Sequence, residues 1–399
     1  MHIPSYRVSE EMHSTSASVW YVPAIDSESP FAILIKAPTS SIKAIISQCK
    51  VNLVFAKELG VLCKGIRIHD MPDSPIMFYD IQRHHEDHLA LINILNKGIH
   101  IPVFIYNEMD WCLAWTYASL EKEKIEQTID LIGDINLLHN IDDRKEISRI
   151  LDCFVFTTDK SQNYDNTHLI NLSELDIYFE TWNVIDNSLV GLNESYSVTI
   201  DDKNEGETFE KAAWASIESI FPLSIYKSPN VIVGEKKREL TDILAYCNEA
   251  TFLIEVKDIS ILQAGFNRDS DRKTKGVQKQ IKKAIQQLIG AVGSLNKNYL
   301  IMDSNDKKIK IINSDIKHCV VLVTEIMEYG DWSEIYKSIV LASKNSKAFF
   351  HVMDFREFVL ILKSCNGNIK KINTNLIERF DFSLKKESVM IRCRITDRD

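Results

Sequence analysis

Short apolar runs and amphipathic stretches alternate along the first half of the chain and predict mixed α and β structure. The runs at residues 31–35, 51–55 and 101–105 have the length and composition of strands. Residues 84–97 and 121–140 carry apolar side chains at helical spacing, so we expect two helices there. Residues before the first of these runs show no clear period and contain several serines. We expect a loosely structured segment at that end.

The second half predicts a mixed sheet flanked by helices. A polar stretch at residues 201–207 marks the boundary, and further strands are expected at residues 319–323 and 348–352, each followed by a helical pattern. Such alternation is typical of a sheet covered by helices. We therefore expect two domains, an α+β domain over residues 1–195 and an α/β domain over residues 196–399. The role of the first is unknown, and we expect it to recognise a target or a trigger.

Composition and charge exclude some classes of protein. The chain has 399 residues, of which 45% are hydrophobic, so it can bury substantial cores and is not a disordered polymer. Its formal net charge of −9 argues against a protein that coats nucleic acid by bulk charge. A local nucleic-acid site stays compatible with that charge, because steering depends on where the charges lie.

The cysteines and the hydropathy pattern indicate a cytoplasmic protein. None of the eight cysteines forms a Cys-x-x-Cys pair, which argues against a zinc ribbon or a thioredoxin-type motif. We expect them to be reduced thiols. No stretch approaches the roughly 18 apolar residues that span a membrane. No phosphate-binding loop of the Gly-x-x-x-x-Gly-Lys type is present in the sequence.

Two acidic residues are expected to face each other across a hairpin. Two strand-like segments are joined by a short turn at residues 247–250. If that turn is symmetric about its two central residues, Asp242 lies directly opposite Glu255, and such partners have Cβ atoms about 4.5–5.5 Å apart. Strand alternation places Lys257 on the same face as Glu255. The three charged side chains are therefore expected to converge.

This trio suits the hydrolysis of a phosphodiester. Two carboxylates aimed at one point repel unless a proton or a metal ion lies between them, and oxygen ligands suit Mg²⁺ or Mn²⁺ better than zinc. Such an ion polarises the phosphoryl oxygen and lowers the pKa of bound water. Lys257 would orient or help to deprotonate the attacking water and would offset the charge that develops on the phosphoryl group.

A helix is expected before this hairpin. Asn204 followed by Glu207 resembles a capping box, and Phe209 begins an apolar stripe. Glu210 lies beside that stripe, so its carboxylate would emerge at the edge of the helix–sheet contact. The alternative interpretation is an ordinary solvated glutamate.

These residues resemble the signature of the PD-(D/E)XK nuclease superfamily, which includes many restriction endonucleases and the archaeal Holliday-junction resolvases. The resemblance lies in Asp242, a spacer of 12 residues, and then Glu255 and Lys257 with one valine between them. The segment from Gly206 to Glu210 is similar to the first-helix motif, in which a glycine precedes a metal-site glutamate by four residues.

The resemblance covers roughly residues 204–326, and it implies a restriction-endonuclease-like αβββαβ core with a C-terminal extension to residue 399. Carried over, Glu210, Asp242 and Glu255 would hold Mg²⁺ or Mn²⁺ and Lys257 would be the catalytic lysine. Thr241 departs from the family pattern, which often has proline there. The resemblance also implies restriction or anti-phage defence in a prokaryote, with a homodimer or a defence-system partner protein as candidate assemblies.

A basic segment follows the hairpin. Residues 268–283 contain seven Lys or Arg and two Asp, and they lead into an amphipathic helix. We expect phosphate contacts from this segment and from a basic run before the second strand. The candidate nucleic-acid-binding residues are Lys236, Lys237, Arg238, Arg272, Lys273, Lys275 and Lys279. The alternative is a charged, solvated helix face.

Two glutamines flank the apolar stripe of that helix near its start, where related nucleases often place a residue that contacts phosphate or the attacking water. They are Gln278 and Gln280, and the sequence leaves open which of them faces the site. We take Gln280 as the candidate catalytic residue.

The sequence thus predicts a Mg²⁺-dependent endonuclease acting on DNA. Two alternatives stay open: a nuclease-derived module that binds nucleic acid or a partner without cleavage, and a nuclease that cuts RNA. A histidine-rich segment, which contains His84 and His88, invites a metal-site reading. We interpret it instead as the first turn of a helix.

Overall fold

The computed structural model describes residues 3–24, 29–58, 60–71, 75–133, 171–191, 195–258, 270–311, 314–327 and 330–392. The chain divides into two units. The first comprises Met1–Asp186 and Leu262–Ser270, and the second comprises Asn187–Ile261 and Asp271–Asp399. Both mix helices with strands, and none of the described helices is long and apolar enough to cross a membrane.

The first unit is built on one mixed sheet. Its strands within the described residues are β1 (Ser18–Pro23), β2 (Phe31–Lys36), β3 (Val51–Glu58), β4 (Val61–Ile68), β5 (Ile76–Ile81), β6 (Ile101–Tyr106), β7 (Cys112–Leu120), β8 (Asn171–Phe179) and β9 (Asn183–Val184). They follow the order β1-β2-β6-β7-β8-β3-β4-β5, with β9 paired to β7. The strands predicted at residues 31–35, 51–55 and 101–105 are confirmed.

Helices pack on this sheet. They are α1 (Tyr6–Ser14), α2 (Thr39–Ile46), α3 (His85–Lys97) and α4 (Ile125–Ile132), with a 3₁₀ turn at Lys122–Lys124. The predicted helix at residues 84–97 is confirmed as α3, which packs on β1 and β2. The helix predicted over residues 121–140 is confirmed as α4 as far as Ile132, and residues beyond 133 lie outside the described residues.

The expectation of a loosely structured N-terminal segment is wrong. Ser5 caps α1 by accepting a hydrogen bond from the Val8 backbone, and Val8 and Met12 bury one face of that helix. In β1 the side chains on both faces are buried, with Trp20 and Tyr21 about 1% exposed or less. A strand covered on both faces has no polar–apolar alternation, which is why the period was not visible in the sequence.

Arg7 of α1 holds the first turn of α3 in place. Its guanidinium contacts both carboxylate oxygens of Asp87, at 2.5 and 3.1 Å, and one oxygen of Glu11 at 2.8 Å. The other oxygen of Glu11 accepts a hydrogen bond from the Trp20 indole at 3.0 Å. His84 lies just before α3 and contacts Glu11, so the histidine-rich segment does begin a helix.

The second unit is built around a five-stranded mixed sheet and contains further strands outside it. The strands of the unit within the described residues are β10 (Asn187–Val190), β11 (Ser195–Val198), β12 (Ile225–Lys227), β13 (Asn230–Val233), β14 (Lys236–Glu239), β15 (Ile243–Tyr246), β16 (Thr251–Lys257), β17 (Leu300–Met302), β18 (Lys317–Val323) and β19 (Phe349–Asp354). The main sheet has the order β12-β15-β16-β18-β19, antiparallel as far as β16 and parallel from β16 to β19. Strands β18 and β19 confirm the predictions at residues 319–323 and 348–352.

Helices cover both faces of this sheet. They are α5 (Glu205–Glu218), α6 (Ser270–Asn296), α7 (Ser333–Ser346), α8 (Phe355–Ser364) and α9 (Ile369–Lys386). One core joins Leu253 of β16 to the apolar stripe of α6, including Ile281 and Leu288. On the opposite face Phe252 contacts Phe221, which follows α5. Burial of each such aliphatic side chain contributes about 1.5–3 kcal/mol.

A β-hairpin of β13 and β14 is inserted between the first two strands of the main sheet. Strand β13 also pairs with β17, which follows α6, and the three strands form a smaller sheet. The chain leaves the main sheet at Ser228 and returns at Asp242, and the Ser228 amide donates to the Asp242 carbonyl at 2.8 Å. The inserted hairpin therefore begins and ends at one point of the main sheet, directly before the predicted site.

Candidate functional site

The hairpin of β15 and β16 sets the register of the site. Ile243 pairs with Ile254 and Tyr246 pairs with Thr251, which is the register predicted from a symmetric turn. A hydrogen bond from the Cys247 amide to the Ala250 carbonyl closes that turn. Asp242 lies one residue before β15 and is thereby brought to the level of Glu255.

Lys257 lies between the two carboxylates. Its Nζ donates to Glu255 Oε2 at 2.7 Å and to Asp242 Oδ2 at 3.2 Å. The Val256 amide also donates to Asp242 Oδ2, at 2.6 Å. Protein donors within the described residues thus reach one oxygen of each carboxylate. The other oxygens, Asp242 Oδ1 and Glu255 Oε1, are left for a ligand.

Thr241 shows why proline is not required before the aspartate. Its side chain is 1% exposed and its hydroxyl donates to the Ile254 carbonyl at 2.9 Å. This bond and the one from Val256 to Asp242 continue the hairpin past the last backbone pair of β15 and β16. Side chains therefore fix the position of Asp242 where the backbone ladder ends.

The electrostatics of the site favour a cation. Burial and the neighbouring Asp242 raise the pKa of Glu255 to about 7. Burial opposes the charge of Lys257, but Asp242 and Glu255 outweigh it and raise the pKa of the ammonium group. The lysine is therefore charged at neutral pH, and Glu255 would gain negative charge when a further cation arrives.

Glu210 approaches Asp242 from the other side of the sheet. Asn204 caps α5 by accepting from the Glu207 amide, and its own amide donates to the Glu207 carboxylate at 2.7 Å. Phe209 is buried against Phe355 of α8, with ring centroids 5.4 Å apart. The next residue, Glu210, is therefore half-buried, and burial followed by repulsion from Asp242 raises its pKa.

The three predicted metal ligands do not form one closed group. Within the part of the chain that the structure describes, no three His, Cys, Asp or Glu side chains lie close enough to hold one metal ion. Asp242 and Glu255 share Lys257 as a partner, whereas Glu210 influences Asp242 through its charge alone.

Most of the candidate nucleic-acid-binding residues of α6 are exposed. Lys273 is the exception, because it is half-buried and pairs with Glu325 at 3.3 Å. Arg272, Lys275 and Lys279 are exposed and make no ion pair with a described residue. Residues 268 and 269 of the basic segment lie outside the described residues. The exposed cations of this segment are thus available to an anionic partner.

The basic run before Asp242 forms strand β14, not a turn. All of its side chains are exposed. Lys237 forms an ion pair with Asp306, and Arg238 donates to the Ser294 hydroxyl of α6 at 3.4 Å. Lys236 is left exposed at the start of the strand, beside the tip of the hairpin.

The structure brings a different pair of glutamines to Glu255. Gln278 donates its amide to the Asp331 carbonyl at 2.7 Å, and Gln280 is exposed. Neither lines the cavity that opens beside Glu255, whereas Gln286 and Gln287 do. Gln286, Gly290 and Ser294 lie on one face of α6 at intervals of four residues, but this spacing does not specify that the face lies beside Glu255.

Two further charged residues near the site were not identified from the sequence. Glu239, at the end of β14, adds negative charge that raises the pKa of both Glu210 and Glu255. Lys227 pairs with Ile243 in the sheet, and its positive charge lowers the pKa of Glu210. Lys227 is brought near Asp242 by the pairing of β12 with β15, and the sequence pattern does not supply that strand order.

Comparison with family models, with curated proteins and with solved structures finds no match to this chain. Functional inference therefore rests on the residues of the site.

Proposed function

We propose that the second unit is a Mg²⁺- or Mn²⁺-dependent endonuclease that hydrolyses phosphodiester bonds in DNA, in the cytoplasm of a prokaryote and in restriction or anti-phage defence. The observation that carries the proposal is the convergence of Asp242, Glu255 and Lys257, each held by a hydrogen bond. The strand order β12-β15-β16-β18, with α5 before it and α6 before β18, supports the αβββαβ core that the resemblance implies.

The donor set fits a hard divalent cation. Mg²⁺ is commonly held by one or two carboxylates, with waters and substrate phosphate completing its shell. Asp242 and Glu255 would hold it through the oxygens that no donor among the described residues occupies, and Glu210 would add negative charge nearby. The ion would supply Lewis-acid polarisation of the phosphoryl group and activation of water.

Lys257 has an electrostatic role in this proposal. Its ammonium group stays protonated because two carboxylates contact it, so it is suited to donate to a phosphoryl oxygen and to the attacking water rather than to act as the base. Donors fixed at the position where negative charge develops lower the barrier more than mobile water does. The exposed Arg272, Lys275 and Lys279 would contact the strand backbone and give a salt-dependent affinity.

The experiment incubates the purified protein with plasmid DNA and Mg²⁺, beside Asp242→Ala and Lys257→Ala. We expect nicking or linearisation by the wild type, none in EDTA, and none by either variant. Cleavage that survives both substitutions would contradict the assigned site. Parallel digests of double-stranded DNA, single-stranded DNA and RNA test whether DNA is the substrate.

A binding module without cleavage is the second candidate, and the exposed cations Arg272, Lys275 and Lys279 of α6 favour it, because they can contact phosphates without a metal ion. Calorimetric titration with Mn²⁺ separates the two functions. Binding to the wild type that is lost in Glu255→Ala supports the enzyme, whereas no Mn²⁺ binding together with salt-sensitive DNA binding supports the module.

A further inference from the structure

A cavity of about 260 Å³ opens beside Glu255, between β14 and the second half of α6. Arg238 and Glu239 line it from the strand, and Gln286, Gln287 and Ser294 line it from the helix. Of the carboxylates used in the proposed hydrolysis, Glu255 lines this cavity, and the helical wall of the cavity has no role in that reaction.

The charges of the wall disfavour an anionic occupant. Glu239 and Glu255 both line the cavity, and Arg238 is engaged with the Ser294 hydroxyl. The amides of Gln286 and Gln287 offer both donors and acceptors. A neutral group with a mixed hydrogen-bonding edge therefore matches the wall better than a phosphate does.

The rest of the lining suits a flat ring. Leu240 and Ala291 are buried apolar residues of the lining. Gly290 also lines the cavity, and a Cβ built on it meets no other atom within 4 Å, so a planar group can approach the helix backbone there. At about 30 Å³ for each water, the cavity has room for roughly nine waters, which is more than the space that one nucleobase requires.

We propose that this cavity receives one unpaired nucleobase of the strand whose phosphodiester is bound at Asp242 and Glu255. The inference rests on the proposed nuclease function and specifies its substrate as single-stranded or locally unpaired at the cut. A base inside a duplex must be unstacked and unpaired before it can enter such a pocket, at a cost of a few kcal/mol, so intact duplexes are disfavoured.

The test compares two substitutions on one helix in the full chain. Gly290→Leu fills the cavity, whereas Gly293→Leu changes a second glycine of α6 that also has open space at its Cβ and does not line the cavity. Leucine is a better helix former than glycine, so both variants are expected to fold. Binding of a fluorescein-labelled single-stranded DNA oligonucleotide is measured by anisotropy in the Asp242→Asn background without added metal.

We expect Gly290→Leu to weaken binding about 10-fold, because the leucine side chain occupies the space of the base and a tenfold loss corresponds to about 1.4 kcal/mol of lost contact, and Gly293→Leu to change it less than 2-fold. An oligonucleotide made of abasic sites should bind the two variants equally. Equal affinities of the two variants for the normal oligonucleotide would overturn the inference, as would failure of the wild-type background to bind it.

Cleavage assays keep this inference separate from the proposed function. One outcome is that the protein cuts DNA only when Lys257 is present, while the Gly290→Leu and Gly293→Leu variants bind and cut equally well. The proposal of a base pocket is then wrong and the proposed nuclease function is supported. If no substrate is cut while Gly290→Leu still selectively weakens binding, the nuclease is wrong and the pocket stands as a binding site.

Discussion

Two clusters of charged residues, one in each unit, differ in how their carboxylates are satisfied. In the first unit both oxygens of Asp87 and both oxygens of Glu11 accept hydrogen bonds from protein donors. In the second unit Asp242 and Glu255 each offer only one oxygen to a donor among the described residues. A buried carboxylate whose two oxygens both accept hydrogen bonds stabilises a contact between helices. A carboxylate beside a cavity with one oxygen that accepts no hydrogen bond from a described residue is suited to bind a ligand.

The same substitution in the two clusters should have opposite consequences, and the largest effect is expected at Asp242. Asp242→Asn keeps an acceptor for the Val256 amide but removes one metal ligand. We expect the cleavage rate to fall about 10³-fold, because Lewis-acid stabilisation is worth several kcal/mol.

The free energy of unfolding of the Asp242→Asn variant should not fall, because the substitution removes the repulsion between the carboxylates of Asp242 and Glu255. Single-turnover cleavage and urea unfolding check both, and a variant that unfolds more easily would contradict the comparison.

The matched change in the first unit is Asp87→Asn. The substitution removes a charge-assisted hydrogen-bond partner of Arg7 at a buried position, since the Asp87 side chain is 2% exposed. We therefore expect the free energy of unfolding of the first unit to fall by about 2 kcal/mol. Hydrogen exchange measured by mass spectrometry should show faster exchange in β1 and α3. Cleavage per folded molecule should stay at the wild-type rate, and a catalytic defect would show that the two clusters are not independent.

Acid should destabilise the second unit through a buried histidine pair. His318 Nδ1 lies 3.1 Å from His351 Nε2, and burial lowers the pKa of His318 to about 4 and that of His351 well below its usual value. His351 also faces the charge of Arg379. Both histidines are neutral when folded and take up protons when unfolded, so stability is present above about pH 6.5 and is lost as the pH falls towards 4.

The contribution of His318 to that loss is about 2 kcal/mol at pH 5, from 1.4 kcal/mol for each pH unit. His318→Gln keeps a donor for Asn373, which accepts from His318 Nε2 at 2.8 Å. We expect the difference in unfolding free energy between pH 7 and pH 5 to be smaller by that amount in the variant. An unchanged difference would show that the pair does not titrate on unfolding.

The smallest effect is a gain in stability at the site itself. Glu255 is 1% exposed and has a pKa of about 7, so at pH 8 it is a buried charge beside Asp242. We expect Glu255→Gln to stabilise the second unit by about 1 kcal/mol at pH 8 and to have no such benefit at pH 5, where the glutamate is already neutral. Thermal unfolding at the two pH values measures this, and a loss of stability at pH 8 would make Glu255 a structural residue.

The hairpin could be predicted from the sequence because its geometry is local. A short symmetric turn fixes the register, and the register fixes that Asp242 and Glu255 lie at one level. The first 23 residues could not be predicted in the same way. Strand β1 is buried on both faces by elements far away in sequence, so its pattern shows no period of two.

The position of a glutamine along α6 could not be predicted from the sequence. Gln280 is the candidate because related nucleases often place such a residue near the start of this helix, yet the helix extends from Ser270 to Asn296. Its second half, with Gln286 and Gln287, lies beside Glu255. Which turn of a long helix faces a given strand residue depends on the packing of the two elements, and the sequence period specifies the buried face but not the level along the axis.

The hydrogen bond between Ser228 and Asp242 closes the base of the inserted hairpin, only part of which is replaceable. Its two ends meet at one backbone contact, but Val231 and Leu240 of the insert are buried in the core of the unit and β13 also pairs with β17. The part of the hairpin that can change in length or charge without moving the strands that carry Asp242 and Glu255 is therefore its exposed tip at residues 234–236.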